Sequence, residues 1–201
     1  HVIIGVDQGY GNIKTANACF KAGVTVYDKD PYFKGDMVFY GGKYYVIGEQ
    51  HKAFIKDKDE DEDYYVLTLA AIAKEMKLAG MNYALVFLAV GVPLNWIAEQ
   101  RERFRKYLQA NRHVVFWLNG EQYTVDIDGV EIFPQGFAHV APYIAKLEGI
   151  TMICDIGNGT INVMKLTNGI PSQAACYTRR LGVNQCMIRI QERDRDRKSV
   201  V

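Results

Sequence analysis

The chain has 201 residues, 49% hydrophobic and 23% charged, and its 24 basic and 23 acidic residues leave a formal net charge of +1. That composition is globular, the length suffices for a core without disulfides or a structural metal, and the near-zero charge excludes a basic nucleic-acid coat or a polyacidic tail. No apolar run approaches the ~20 residues of a membrane helix, and the opening HVIIGVDQG lacks a secretory-signal pattern, so a soluble cytoplasmic protein with no membrane or direct nucleic-acid partner is expected.

The first segment, VIIGVDQGYGNIKTANACF, predicts a buried strand, a glycine-rich turn at Gly9 to Asn12 and a strand that returns beside the first. Residues 21 to 48 break into the short pieces VTVY, MVFY and KYYVIG, which predicts a small, largely antiparallel insertion. KDKDEDED (Lys56 to Asp63) then precedes a helix whose apolar stripe is Tyr65, Leu69, Ile72 and Met76. At the positive end of the helix dipole those acids read as a solvated helix start rather than a cation site. ALVFLAVGV (Ala84 to Val92) is apolar almost without a break, the pattern of a central strand covered on both faces, and Pro93 stops it. Asn95 is positioned to cap a second helix built on Ile97, Phe104 and Leu108, with EQRERFRK as its solvated face.

HVVFWL and EQYTVDI turn at Asn119-Gly120, a strong hairpin signal. A shorter helix is predicted through Ala138, Ala141, Ile144 and Ala145, closed by Gly149. At TMICDIGNGTINVMKLTNGIP the opening pattern returns, with Asp155 in the place of Asp7 and a register that slips by one residue at the turn. The chain thus reads as a βββαβα unit, residues 1–148 with an inserted subdomain at about 27–62, followed by the beginning of a second unit, residues 149–201. GVNQCMIRIQERDRDRKSVV opens as an amphipathic helix on Val183, Met187 and Ile190, and a complete second unit is expected to need on the order of another hundred residues. Cys19, Cys154, Cys176 and Cys186 form no CxxC pair and have no His at ligand spacing, which argues against zinc. Cys19 and Cys154, inside strand-like segments, are expected to be buried and inert.

Two glycine turns, each opened by an aspartate, suit a nucleotide-phosphate grip. Backbone N–H groups in such turns meet anionic oxygens at close range, which a Cβ would block. A carboxylate beside each turn would repel phosphate unless a cation intervenes, so Asp7 and Asp155 point to Mg²⁺ held largely through water. Lys14 can place a point charge on a β- or γ-phosphate. Each loop alone reads more readily as a plain tight hairpin; the pair is far more specific. The chain has no GxxxxGK[ST] and no GxGxxG between a strand and a helix, so a P-loop or dinucleotide site is not expected.

DQGYGNIK (Asp7 to Lys14) and DIGNGTIN (Asp155 to Asn162) resemble the phosphate-1 and phosphate-2 loops of the actin, hexokinase and heat-shock chaperone ATPase superfamily, with IFPQGFAHVAPYIA (Ile132 to Ala145) as the connecting segment. The resemblance is nearest to bacterial actin-like ATPases of the ParM/StbA plasmid-segregation type, through the DxGxxNxK opening, the EDEDYY-like helix start and the VGVPL-like strand end. It implies an α/β, actin-like (ribonuclease H-like) fold with a mixed sheet, ATP and Mg²⁺ as cofactors, and slow ATP hydrolysis. By the same resemblance Asp7 acts on Mg²⁺ through water, while Gly9, Tyr10, Gly11, Asn12 and Lys14 contact the phosphates. Asp155 helps to hold Mg²⁺ and the attacking water, beside Gly157, Asn158, Gly159, Thr160 and Asn162. Gln135 orients that water, a positioning role rather than that of a base; read alone, it is a polar residue at a helix start after Pro134. Many family members carry Gly where Asn158 stands, and the family's adenosine motif falls outside these residues.

The implied function is a filament-forming, cytoskeletal ATPase that binds Mg-ATP between two domains and moves plasmid DNA through a DNA-binding adaptor. A sugar or acetate kinase of the same superfamily is an alternative, against which stands the lack of an Asp, Asn and Arg cluster for sugar hydroxyls. A non-catalytic, nucleotide-switched scaffold is another. Tyr40, Tyr44, Tyr45, Tyr64 and Tyr65 could serve filament contacts or the edges of a core.

Overall fold

The computed structural model describes residues 1–32, 35–48, 62–92, 94–172 and 175–198. The chain divides into two compact units, His1–Val92 with Trp96–Phe133, and Pro93–Asn95 with Pro134–Val201.

The first unit is organised by the apolar opening strand β1 (Val2–Gln8), which pairs antiparallel with β2 (Asn12–Lys14) and through it with β3 (Cys19–Lys21). On its other side β1 pairs in parallel with β7 (Tyr83–Val92), reached through helix α1 (Glu62–Leu78). The predicted insertion forms β4 (Val24–Tyr27), β5 (Asp36–Tyr40) and β6 (Lys43–Ile47), paired antiparallel as expected. The insertion joins the main sheet, since β5 pairs with β8 (His113–Leu118) at Val38↔Leu118 and Phe39↔Trp117. With β9 (Glu121–Pro134) the described strands make one nine-stranded sheet in the order β3-β2-β1-β7-β9-β8-β5-β6-β4. Asn119 and Gly120 both adopt positive φ, 54° and 82°, the paired left-handed turn that lets β8 and β9 close with the sheet's own twist.

Helix α1 supplies the centre of the core. The predicted stripe Tyr65, Leu69, Ile72 and Met76 is buried, but so is every residue from Tyr64 to Ala73, so a sheet face and other elements enclose the helix rather than leaving it half wet. Tyr45, Tyr64 and Tyr65 are buried in that core, which favours the core over the filament reading for these three. Burial raises the Tyr45 hydroxyl pKa to about 12, with Glu62 adding to the effect. Polar ties hold the helix in register. Glu75 accepts hydrogen bonds from Thr15 Oγ1, from the Asn17 backbone N–H at 2.9 Å and from Asn17 Nδ2 at 2.8 Å, while Lys74 pairs with Asp36 at 2.5 Å. Of the acidic run, Glu62 and Asp63 occupy the first turn of α1, and Lys56 to Asp61 lie outside the described residues.

β7 departs from expectation. Its burial alternates, with Ala84, Val86, Leu88, Val90 and Val92 buried but Tyr83 and Leu85 exposed, so among the described residues only one face is fully covered. An apolar run shows that both faces tolerate burial, not that both have a neighbour. Helix α2 (Leu94–Leu108) begins before Asn95, whose side chain lies outside the described residues. Phe104 and Leu108 are buried as predicted, but the wet face is not merely solvated: Gln100 is buried and Arg101 pairs with Glu131 on β9.

The second unit opens with α3 (Phe137–Val140) and a 3-10 segment over Ala141–Lys146, not the single helix predicted through Ala145. Pro142 is the reason, since it has no N–H to return to the carbonyl four residues back. Gly149 adopts φ 67°, the predicted stop. β10 (Ile150–Ile156) and β11 (Ile161–Thr167) form an antiparallel hairpin, flanked on β11 by β12 (Ile170–Pro171) and β13 (Tyr177–Arg179), before helix α4 (Val183–Lys198). Val163, Met164 and Leu166 are buried, whereas Val183, Met187 and Ile190 of α4 are exposed, so its predicted apolar stripe is unburied among the described residues. Cys19 and Cys154 are also exposed, contrary to expectation, because β3 ends its sheet and Cys154 shares the outward row of β10 with Ile150, Met152 and Ile156.

Candidate functional site

The two aspartate-glycine loops have the same cross-strand geometry. Asp7 stands opposite Lys14 across β1 and β2, and Asp155 opposite Asn162 across β10 and β11, so each aspartate faces the seventh residue after it. The one-residue slip read from the sequence is therefore absent. The two turns repeat residue for residue from the aspartate onward.

The first glycine of each loop has the same reason to be glycine. A Cβ on Gly9 would sit 2.7 Å from the Asn12 carbonyl oxygen, and one on Gly157 would sit 3.3 Å from the Thr160 carbonyl oxygen. In both loops, counted from the aspartate, the chain folds its sixth residue back over its third, which leaves no room for a side chain. The second loop closes this contact with a hydrogen bond, Gly157 N–H to Thr160 C=O at 2.8 Å.

In the first loop the Lys14 ammonium lies 3.6 Å from an Asp7 carboxylate oxygen, and both side chains are about half exposed, at 57% and 44%. An exposed pair at that distance is weak. Gln8 and Tyr10 are buried. Gly11 C=O accepts from the Ala22 N–H at 3.1 Å, which ties the turn to the residue just after β3.

The second loop rests on the start of α4. The N–H groups of Val183 and Asn184 donate to the Gly157 and Asn158 carbonyls, each at 3.0 Å, so the first donors of the helix are spent on the loop and hold it in place. A Cβ on Gly182 would lie 2.4 Å from the Asn158 carbonyl oxygen, which makes Gly182 part of this seat. Thr160 and Asn162 are buried. The Asn162 amide is engaged on both sides, since Nδ2 donates to Asp155 at 3.4 Å and Oδ1 accepts from Thr178 Oγ1 at 2.8 Å. Asn162 thus fixes the direction of the Asp155 carboxylate instead of presenting its amide to solvent.

Gln135 precedes Gly136, whose φ of 80° is left-handed and whose missing Cβ would stand 3.1 Å from Asp155 Cβ. The Gln135-Gly136 turn is therefore brought directly against the Asp155 carboxylate. Sequence reading missed Gly136, Thr178 and Gly182. A glycine following Pro-Gln and a glycine just before a helix were the available signals, but their partners are remote in sequence. Among the described residues no three His, Cys, Asp or Glu side chains gather as a metal cage. No helix there is long and apolar enough to cross a membrane.

No curated protein sequence matches this chain. Three solved structures are similar to it. The AlfA filament bound to AMPPNP has a TM-score of 0.72 at 17% identity, over 91% of this chain and 71% of that one. An archaeal actin homologue in complex with ADP has a TM-score of 0.71 at 17% identity, over 91% and 62%. Bacillus thuringiensis ParM with AMPPNP has a TM-score of 0.66 at 14% identity, over 96% and 64%. The chain thus spans between 62% and 71% of those proteins. The likeness establishes the mixed-sheet α/β, actin-like fold that the loops implied. Residues 5–137 match the family described as the actin like proteins N terminal domain. The duplicated aspartate-glycine hairpins, the shared fold and that match, which takes in the first loop and Gln135, place the chain in the family of actin-like proteins.

Proposed function

We propose that this protein is an ATPase in which both loops act on the phosphates of one Mg-ATP, and which assembles into filaments with ATP and leaves them on hydrolysis. The observation that carries this reading is the repeated loop: the same aspartate, the same crowded glycine and the same cross-strand register occur twice. A repeat of that kind supplies two sets of loop N–H donors and two carboxylates, as a polyphosphate with its cation requires. Residues 1–148 and 149–201 serve as the first actin-like domain and the beginning of the second.

One carboxylate per loop fits Mg²⁺, which keeps several waters and shares its coordination with phosphates. Asp7 and Asp155 would hold it, and the ion would neutralise charge developing on the transferred phosphoryl group. The backbone of Gly9 to Asn12, with Lys14, would bind one part of the phosphate chain, and Gly157 to Thr160 the terminal part. Asp155, aimed by Asn162, accepts a hydrogen bond from the attacking water, and Gln135 orients that water from the adjoining turn. Phosphoryl transfer rewards such positioning more than basicity.

The similar structures support the nucleotide and the polymer: one is a filament bound to AMPPNP, another a ParM with AMPPNP, the third an actin homologue with ADP. The ParM likeness also favours plasmid segregation through a DNA-binding adaptor, consistent with a net charge of +1 that gives little attraction to DNA itself. The test is light scattering on adding Mg-ATP, with phosphate release followed in parallel. A rise that decays as phosphate appears is expected; a flat trace with ATP consumed refutes the filament, and no consumption refutes the ATPase.

A further inference from the structure

Gln8 lies between the candidate carboxylate Asp7 and the crowded Gly9, yet its side chain is fully buried, at 0% exposure. Its Nε2 donates to Thr68 Oγ1 on α1 at 2.5 Å. Thr68, itself 2% exposed, uses its own proton on the Tyr64 carbonyl one turn earlier, at 2.7 Å. That assignment is internally consistent: a hydroxyl already donating to Tyr64 has only acceptor capacity left, so Gln8 must present its NH₂ group. A second tie stands seven residues further along α1, where Glu75 receives Thr15 Oγ1 and both N–H donors of Asn17. Positions 68 and 75 are two helical turns apart and share one helix face. On the hairpin, the two ties fall just before Gly9 and just after Lys14.

We infer that α1 is a brace for the first phosphate loop, clamping it at both ends, and that Gln8 and Thr68 are positioning residues that set the aim of the Asp7 carboxylate and the Gly9 to Asn12 amides. Between the clamps lie the crowded Gly9 contact and the bond from the Ala22 N–H to the Gly11 carbonyl. Without the Thr68 acceptor, the Gln8 amide loses the bond that ties it to α1, and the residue between Asp7 and Gly9 is released from the helix. The second loop is held in a different way, by the backbone of α4, so the brace is particular to the first. The nucleotide part of this inference rests on the ATPase reading; the bracing part does not.

Three variants test it: Thr68→Val, which keeps the shape and removes the hydroxyl; Thr68→Ser, which keeps the hydroxyl; and the double variant Gln8→Leu with Thr68→Val, which removes both polar partners of the pair. Amide hydrogen exchange of residues 9 to 14 is read in the nucleotide-free protein, and Mg-ATP affinity by titration. Thr68→Val is expected to speed loop exchange several-fold and weaken Mg-ATP about tenfold, the effect of about one buried hydrogen bond, while Thr68→Ser matches the wild type. The double variant should recover melting temperature but neither loop protection nor affinity. If protection and affinity return together with stability in the double variant, or if Thr68→Val melts earlier with unchanged loop exchange, the bond is core packing and the brace is wrong. A wild-type protein that binds no Mg-ATP overturns the ATPase reading, and loop exchange still decides the brace.

Discussion

The two loops share a hairpin geometry, but their supports differ. The first is embedded in a nine-stranded sheet and clamped by side chains of a helix that is buried almost all round. The second stands on a short four-stranded sheet and is held by backbone donors of α4, a helix whose apolar residues Val183, Met187 and Ile190 are exposed. The turn is thus specified by its own residues, above all the glycine that lets the chain fold over itself, and not by the core beneath it. What the core decides is the firmness of the turn and the chemical means by which it is held.

The comparison is tested most severely at the aspartates. Asp155→Ala is expected to lower phosphate release at saturating Mg-ATP by about 100-fold or more, because Asp155 is aimed by Asn162 and lies against the Gln135-Gly136 turn. Asp7→Ala should instead act chiefly on the Mg²⁺ dependence of nucleotide affinity. Equal losses of turnover in the two variants would show that the loops are functionally alike.

Core substitutions probe the supports. Leu88→Ala, in the core cluster that includes the buried residues of α1, should cost about 3–4 kcal/mol in urea unfolding. Leu166→Ala should cost about 2 kcal/mol, since its buried apolar neighbours in the second unit are few; both residues are fully buried. A larger loss at Leu166 would overturn the ranking of the two cores. The glycines give a finer measure. Gly9→Ala brings a methyl to 2.7 Å from a carbonyl oxygen, against 3.3 Å for Gly157→Ala. Expected costs are about 2–3 and about 1 kcal/mol, read from denaturation midpoints, and a reversal would mean that the second loop is the more rigid.

The smallest effect is a pH dependence confined to the first unit. Burial pushes the Asp36 carboxyl upward, but hydrogen bonds from Lys74 and Asn119 outweigh it and hold the group below its ordinary 3.8. Burial likewise raises Glu75, and its bonds from Thr15 and Asn17 bring it below 4.5. Both folded-state values are depressed, so the stabilisation is present above pH 4.5 and fades as the pH falls through the folded values. Urea midpoints at pH 6 and pH 3 should differ by less in Glu75→Gln than in the wild type. An unchanged difference would show that the tie between α1 and the hairpin carries no net charge contribution.

The sequence revealed the hairpins, the Asn119-Gly120 turn, α1 and the insertion because each rests on local chemistry: glycine where the chain crowds itself, a positive φ at a turn, an apolar period. It revealed less where the deciding partner is distant. β7 was as apolar as a strand covered twice, yet Tyr83 and Leu85 are exposed, since composition does not count neighbouring layers. Cys19 misled for the same reason, lying in an edge strand that no local pattern marks as an edge. Gly136 and Gly182 belong to the candidate site through contacts with Asp155 and Asn158 that no short motif encodes. The link from Gln8 to Thr68 joins residues 60 positions apart.

The joining of β5 to β8 has a mechanical consequence. The pairs Val38↔Leu118 and Phe39↔Trp117 make the insertion a hydrogen-bonded continuation of the main sheet, and the Asn119 side chain adds a bond to the Met37 N–H at 2.8 Å. A pulling force applied at the Gly41-Gly42 tip therefore passes into the sheet through backbone bonds between β5 and β8 rather than through a flexible neck. Under such a load the insertion should resist as part of the sheet and yield by rupture of that seam in a single step.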